Sequence, residues 1–133
     1  MLTVKDILTS SGKYPDRKTH PEVTTEVIKN IETLLSKLNP LLQELSLKPT
    51  VSSGFRPSDV NAAIPNAAKR SLHMQGLAVD LADADGKIDA LIESRDDLKK
   101  KYGLWQESPV HTHGWCHLDC RDRGSRDKNT FIP

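Results

Sequence analysis

The stretch from residue 22 to residue 47 constrains the fold most. Val27, Ile28, Ile31, Leu34, Leu35, Leu38, Leu41, Leu42 and Leu45 recur at steps of three and four. That spacing gathers apolar side chains on one face of an α-helix. A helix of this length in a chain of 133 residues must have its apolar face covered by most of what remains, so the face reads as core. Pro40 falls inside the run. Because the apolar phase continues past it, the sequence predicts a kink, or two abutting helices with Asn39 capping the second.

The other segments are short. Thr3 can cap a first turn carrying Val4, Ile7 and Leu8, and a polar loop follows to about residue 20. KPTVSSGFRP, residues 48–57, reads as a strand ending at Gly54 with Pro57 closing it. Residues 58–64 read as a helix capped by Ser58, and residues 65–72 as loop. LAVDLAD is too rich in small apolar residues for a helix face and reads as a buried strand, with DADGK as the turn after it. Residues 88–101 form an amphipathic helix with Lys99, Lys100 and Lys101 near its C-terminus, where the helix dipole favours cations. GLWQE and GWCHLDC read as two strands around a loop. The expectation is one α+β domain over residues 1–133, with a small, mostly antiparallel sheet flanked by helices.

The formal net charge is +1, which gives no electrostatic footprint of a nucleic-acid binder. No apolar run approaches the roughly 18 residues of a membrane span, so membrane insertion is not expected. The N-terminus, MLTVKDILTSSGKYPD, lacks an apolar signal core with a small-residue cleavage site. Delivery outside a cytoplasm is then expected to depend on another protein. Cys116 and Cys120 lie four apart near a strand. Extended chain separates them by about 13 Å, too far to bridge, so two reduced thiols are expected.

Two stretches carry candidate chemistry. SLHMQGLAVDLADADG holds His73 and Asp80 seven residues apart, and Gly76 lets the backbone turn between them. This pair can ligate a metal, and it also fits a simple hydrogen-bonded His–Asp pair. HTHGWCHLD then holds three of the chain's five histidines. On a regular strand His111, His113, Trp115, His117 and Asp119 share one face, and Cys116, Leu118 and Cys120 face a core. A wall of His and Trp suits a site. It also supplies a third ligand, and a catalytic zinc needs three protein ligands and one open position. Arg56, just after the first strand, suits a bidentate grip on a carboxylate.

These residues resemble a known family. Ser71-Leu-His73-Met-Gln-Gly76-Leu-Ala78-Val-Asp80 is similar to the SxHxxGxAxD motif of zinc D-alanyl-D-alanine carboxypeptidases. SGFRP resembles the SGYR turn of that family, with Asn61 following, and GWCHLD resembles its W-x-H strand. Vancomycin-resistance dipeptidases and phage endolysins that cut the L-alanyl-D-glutamate bond are relatives, and the Hedgehog signalling domain shares the metal core. The resemblance implies zinc on His73, Asp80 and His117, with Arg56 holding a substrate carboxylate or an oxyanion. It implies a supporting, substrate-side role for Ser71. The implied substrate is a peptidoglycan stem peptide, and the implied setting is a host cytoplasm before release to the wall, or a virion.

One departure is visible. Many members carry an acid three residues before the last His, as general base, and that position here is Gly114. Glu107, on the preceding strand, is the first substitute and His113 the second; His113 is also an alternative third ligand. A module that keeps zinc for stability and binds peptidoglycan or a virion protein is the competing expectation, and Gly114 favours it.

Overall fold

The computed structural model describes residues 1–9 and 20–133. Most of the expected N-terminal polar loop, residues 10–19, lies outside the described residues. The elements are α1 (Val4–Leu8), α2 (Thr25–Glu44), β1 (Val51–Ser53), α3 (Ser58–Ala62), a 3-10 turn (Leu72–Gln75) and β2 (Ala78–Asp83). Then come α4 (Lys87–Glu93), α5 (Asp96–Tyr102), β3 (Trp105–Glu107), a 3-10 turn (Pro109–His111), β4 (Gly114–Asp119) and β5 (Thr130–Phe131). The five strands form one sheet in the order β1-β2-β4-β3-β5. Every pairing is antiparallel except β3 with β5. The expected α+β architecture with a mostly antiparallel sheet is what the chain adopts.

The leucine face of α2 is the core. Ile31, Leu34, Leu38 and Leu41 are fully buried, and they pack with Ile7, Phe55, Val79, Leu81, Cys116 and Leu118. Pro40 neither splits nor ends the helix, and Asn39 caps nothing. Its side chain instead bonds both backbone groups of Leu2, at 3.0 and 2.9 Å. Burial on both sides of the proline holds the helix together despite the lost backbone bond.

Three local expectations are corrected. The helix expected over 88–101 is two helices, α4 and α5. At the break Ser94 Oγ bonds the Leu91 carbonyl and Arg95 pairs with Asp97, so the side chains satisfy a turn there. Lys99 turns inward and is fully buried, its Nζ donating to Gln106 Oε1 and Thr130 Oγ1. Burial pushes the Lys99 pKa down, and the Asp96 carboxylate partly offsets this. Ser58 does not cap α3: Pro57 holds the cap position, and the Ser58 hydroxyl donates to Glu22. The two thiols are free, as expected.

Two glycines fix how the site sits on this frame. A side chain at Gly54 collides with the Ile7 carbonyl, and the next residue, Phe55, donates its N–H to that same oxygen at 2.8 Å. Gly76 has φ +77°, and a Cβ there falls 2.8 Å from Ile31. The GxAxD segment can therefore pack directly on α2. Gly54→Ala is expected to lower stability by about 1–3 kcal/mol, as overpacking does. Urea unfolding of the metal-free chain measures it, and a loss under about 0.5 kcal/mol contradicts the close packing.

Candidate metal centre

The register of two strands builds the centre. β2 and β4 pair so that Asp80 lies directly opposite His117. Facing residues of an antiparallel pair project to the same side. Their neighbours Val79, Leu81, Cys116 and Leu118 alternate into the core. His73 arrives from the 3-10 turn just before β2, where Gly76 reverses the backbone.

His73, Asp80 and His117 each offer a ligand atom, and these atoms lie within 4.8 Å of one another. His73 Nε2 is 3.2 Å from Asp80 Oδ1, and His117 Nδ1 is 2.8 Å from the same oxygen. The remaining ring nitrogens are held from behind. His73 Nδ1 lies 2.8 Å from the Gly54 carbonyl, which can only accept, so Nδ1 carries the proton and Nε2 faces inward. His117 Nε2 lies 2.9 Å from Asp119 Oδ2, which leaves Nδ1 inward. A ligating histidine anchored through its second nitrogen to a carbonyl or carboxylate is the arrangement metal sites use. Two imidazoles, one carboxylate and no thiolate suit zinc with an open position. The residues present fit the ion.

Arg56 reaches the same group. Its NH2 nitrogen is 3.2 Å from Asp80 Oδ2, its Nε donates to Ser53 Oγ at 3.0 Å, and NH1 is 3.5 Å from Asn61 Oδ1. One Asp80 oxygen thus accepts from His117 and lies against His73 Nε2, and the other accepts from Arg56. Ser71 accepts the backbone N–H of His73 at 3.2 Å, so it steadies the first ligand's turn.

Glu107 ends β3 and is half-buried. β3 pairs Trp105 with Asp119 and Gln106 with Leu118; one step further sets Glu107 opposite His117. Burial raises the Glu107 pKa, and the charge of His117 partly offsets this. The histidine-rich segment departs from a regular strand. β4 starts only at Gly114; His111 closes a 3-10 turn and His113 is exposed between the two. Pro109 cannot donate to a ladder, and Thr112 Oγ1 bonds buried Asp89, which pulls the loop inward. His113 lies outside the group of three converging ligands.

Protons and metal compete here. Burial holds His73 neutral, its pKa lowered against the pull of Asp80. Burial raises Asp80, but both histidines outweigh it and keep the carboxylate ionised far below its usual range. His117 would be pushed down by burial, yet hydrogen bonds to Asp119 and Asp80 raise it to about 10. In the metal-free chain a proton on His117 therefore takes the role a cation would. Its raised pKa contributes stability that is full below the unfolded value of about 6.5 and lost as pH rises through about 10. Zinc binding at pH 7 is expected to release about one proton per ion, from His117, with affinity rising about tenfold per pH unit. Calorimetry in buffers of different ionisation enthalpy reads this, and zero proton release contradicts it.

The family comparison now has a geometry to meet. The peptidase M15 model matches residues 2–119. The chain belongs to the peptidase M15 family. Searches of curated proteins and of solved structures found no match. M15 peptidases are zinc-dependent metallopeptidases, and the M15 match contains all three converging ligands. The α+β architecture is compatible with the M15 fold. No described helix is long and apolar enough to cross a membrane.

Sequence reasoning placed Asp119 on the site face but gave it no role. The alternation His117-x-Asp119 was the available signal, since a strand sends both to one side. Gly54 contributes through a backbone carbonyl, which no residue identity announces.

Proposed function

We propose that the chain is a zinc peptidase that hydrolyses peptidoglycan stem peptides, of the D-Ala-D-Ala carboxypeptidase or L-Ala-D-Glu endopeptidase type. The observation that carries the reading is the convergence of His73, Asp80 and His117 beneath Arg56 in an M15 chain. A zinc ion held there supplies the Lewis acidity that activates water near neutral pH and polarises a peptide carbonyl.

The chain's own groups do the rest. Glu107, half-buried and across the strand from His117, takes the proton of the attacking water and returns it to the leaving amine. Burial raises its pKa, which makes the carboxylate a stronger proton acceptor. Arg56 uses three of its five N–H donors on Ser53, Asn61 and Asp80. Among the described residues no bond takes the other two, which can meet a substrate carboxylate or a developing oxyanion. Stem peptides, rich in free carboxylates, suit that donor set. His113 is the second candidate for the base, and Ser71 supports the first ligand. Such an enzyme reaches the wall from a host cytoplasm after release by another protein, or as part of a virion whose proteins it partners.

Gly114 supports a second reading, a zinc-stabilised module that binds peptidoglycan or a virion protein without cutting. Mass spectrometry of muropeptides incubated with the zinc-loaded protein separates the two. New products that name the cut bond are expected; an unchanged muropeptide profile supports the binding module.

A further inference from the structure

The M15 match ends on Asp119, yet the residues after it close around the centre. Arg123 grips Asp119 with both terminal nitrogens, NH1 to Oδ1 at 2.7 Å and NH2 to Oδ2 at 3.1 Å. The Asp119 side chain is 1% exposed and that of Arg123 is 11%, so this is a buried, bidentate pair rather than a surface one. The Arg123 guanidinium stacks on Phe131 at 3.7 Å from the ring centroid. Phe131 in turn meets His117 edge-on, ring centres 5.7 Å apart. His117, Asp119, Arg123 and Phe131 thus form a closed cycle of contacts behind one metal ligand.

The same tail holds the strand of Glu107. β5 pairs in parallel with β3, Glu107 facing Phe131. Gln106 N–H donates to the Asn129 carbonyl, and Ser108 N–H donates to the Phe131 carbonyl at 2.8 Å.

We propose that Arg123 is a positioning residue for the metal centre: it fixes the Asp119 carboxylate, which aims His117 Nδ1 at the ion, so the tail outside the M15 match completes the zinc site. This rests on the zinc-peptidase reading of the centre. Asp119 Oδ1 also accepts the Arg121 N–H at 3.2 Å, and Oδ2 is the oxygen that meets His117. Arg123 occupies both from the far side, and the carboxylate cannot rotate away without breaking a charged, buried bond.

The test is zinc affinity by chelator competition on the full chain, with thermal unfolding of the metal-free protein as the fold control. Asp119→Asn is expected to weaken zinc binding about 10- to 100-fold, as loss of an outer partner does, and Arg123→Gln about tenfold. In the double variant Arg123→Gln is expected to add nothing, because its effect runs through Asp119. Arg126→Gln, near the same Trp105 ring as Arg123, is expected to bind zinc as wild type does. Should Arg123→Gln not fold, Arg123→Lys carries the test. It keeps the charge with one bond in place of two, and about a threefold loss is expected. Wild-type affinity in the Arg123 variant, or an equal loss with and without Asp119, overturns the proposal and leaves the zinc site standing. A wild-type chain that binds no zinc overturns the site itself.

Discussion

Asp80→Ala is expected to abolish zinc binding and to weaken the metal-free fold by about 3–5 kcal/mol, the range for breaking a buried ion pair from one side. Asp80 is the hub of the centre. One of its oxygens meets His73 and His117, and the other meets Arg56. Removing the carboxylate leaves the Arg56 guanidinium, whose side chain is 13% exposed, and a protonated His117 without their shared counter-charge. The three-ligand set becomes two imidazoles, too few for a catalytic zinc. Chelator competition and urea unfolding read the two effects separately. His73→Ala is expected to share the first effect and less of the second, because it strands only the Gly54 carbonyl. Zinc bound at wild-type affinity by Asp80→Ala contradicts the assignment of the ligand.

Glu107→Gln is expected to keep zinc and lose turnover by about 10²- to 10⁴-fold, the usual contribution of a general base. Gln preserves the shape and removes the proton acceptor. The acid that many relatives carry three residues before the last histidine would sit on β4 itself, at Gly114. In the proposed mechanism the carboxylate comes instead from the neighbouring strand, β3. The two placements reach the same face because β3 and β4 are hydrogen-bonded and Glu107 lies one register step beyond the Gln106–Leu118 pair. The pH profile adds a second reading. With Glu107 as the base, the acid limb of kcat/KM belongs to a carboxyl raised by burial and disappears in Glu107→Gln. Turnover at the wild-type rate in that variant clears Glu107 and turns attention to exposed His113.

What could be read in advance follows from how each interaction is encoded. The long α2 helix was legible because nine apolar residues keep its period. Its passage through Pro40 was not, because tertiary burial on both sides decides it. The convergence of His73, Asp80 and His117 was legible because a short motif holds the first two and a W-x-H strand carries the third. The α4–α5 break was not, since Ser94 and Arg95 end the helix through side-chain bonds that propensity does not report. Lys99 was expected near a helix C-terminus for the sake of the helix dipole, and only its bonds to Gln106 on β3 and Thr130 on β5 make its inward turn intelligible. The Gly54 carbonyl, the Arg56 bond to Asp80 and the Arg123 grip on Asp119 are long-range contacts made by the fold. Sequence spacing shows the first ring of a metal site far better than the groups that hold it.

Zinc K-edge X-ray absorption on the zinc-loaded chain reads the ligand set itself. One zinc per chain is expected, with two imidazole nitrogens and light oxygen donors at about 2.0–2.2 Å and no sulfur. A sulfur shell at about 2.3 Å would move the metal to Cys116 or Cys120. That result, or a chain that takes up no zinc, contradicts the centre built by His73, Asp80 and His117.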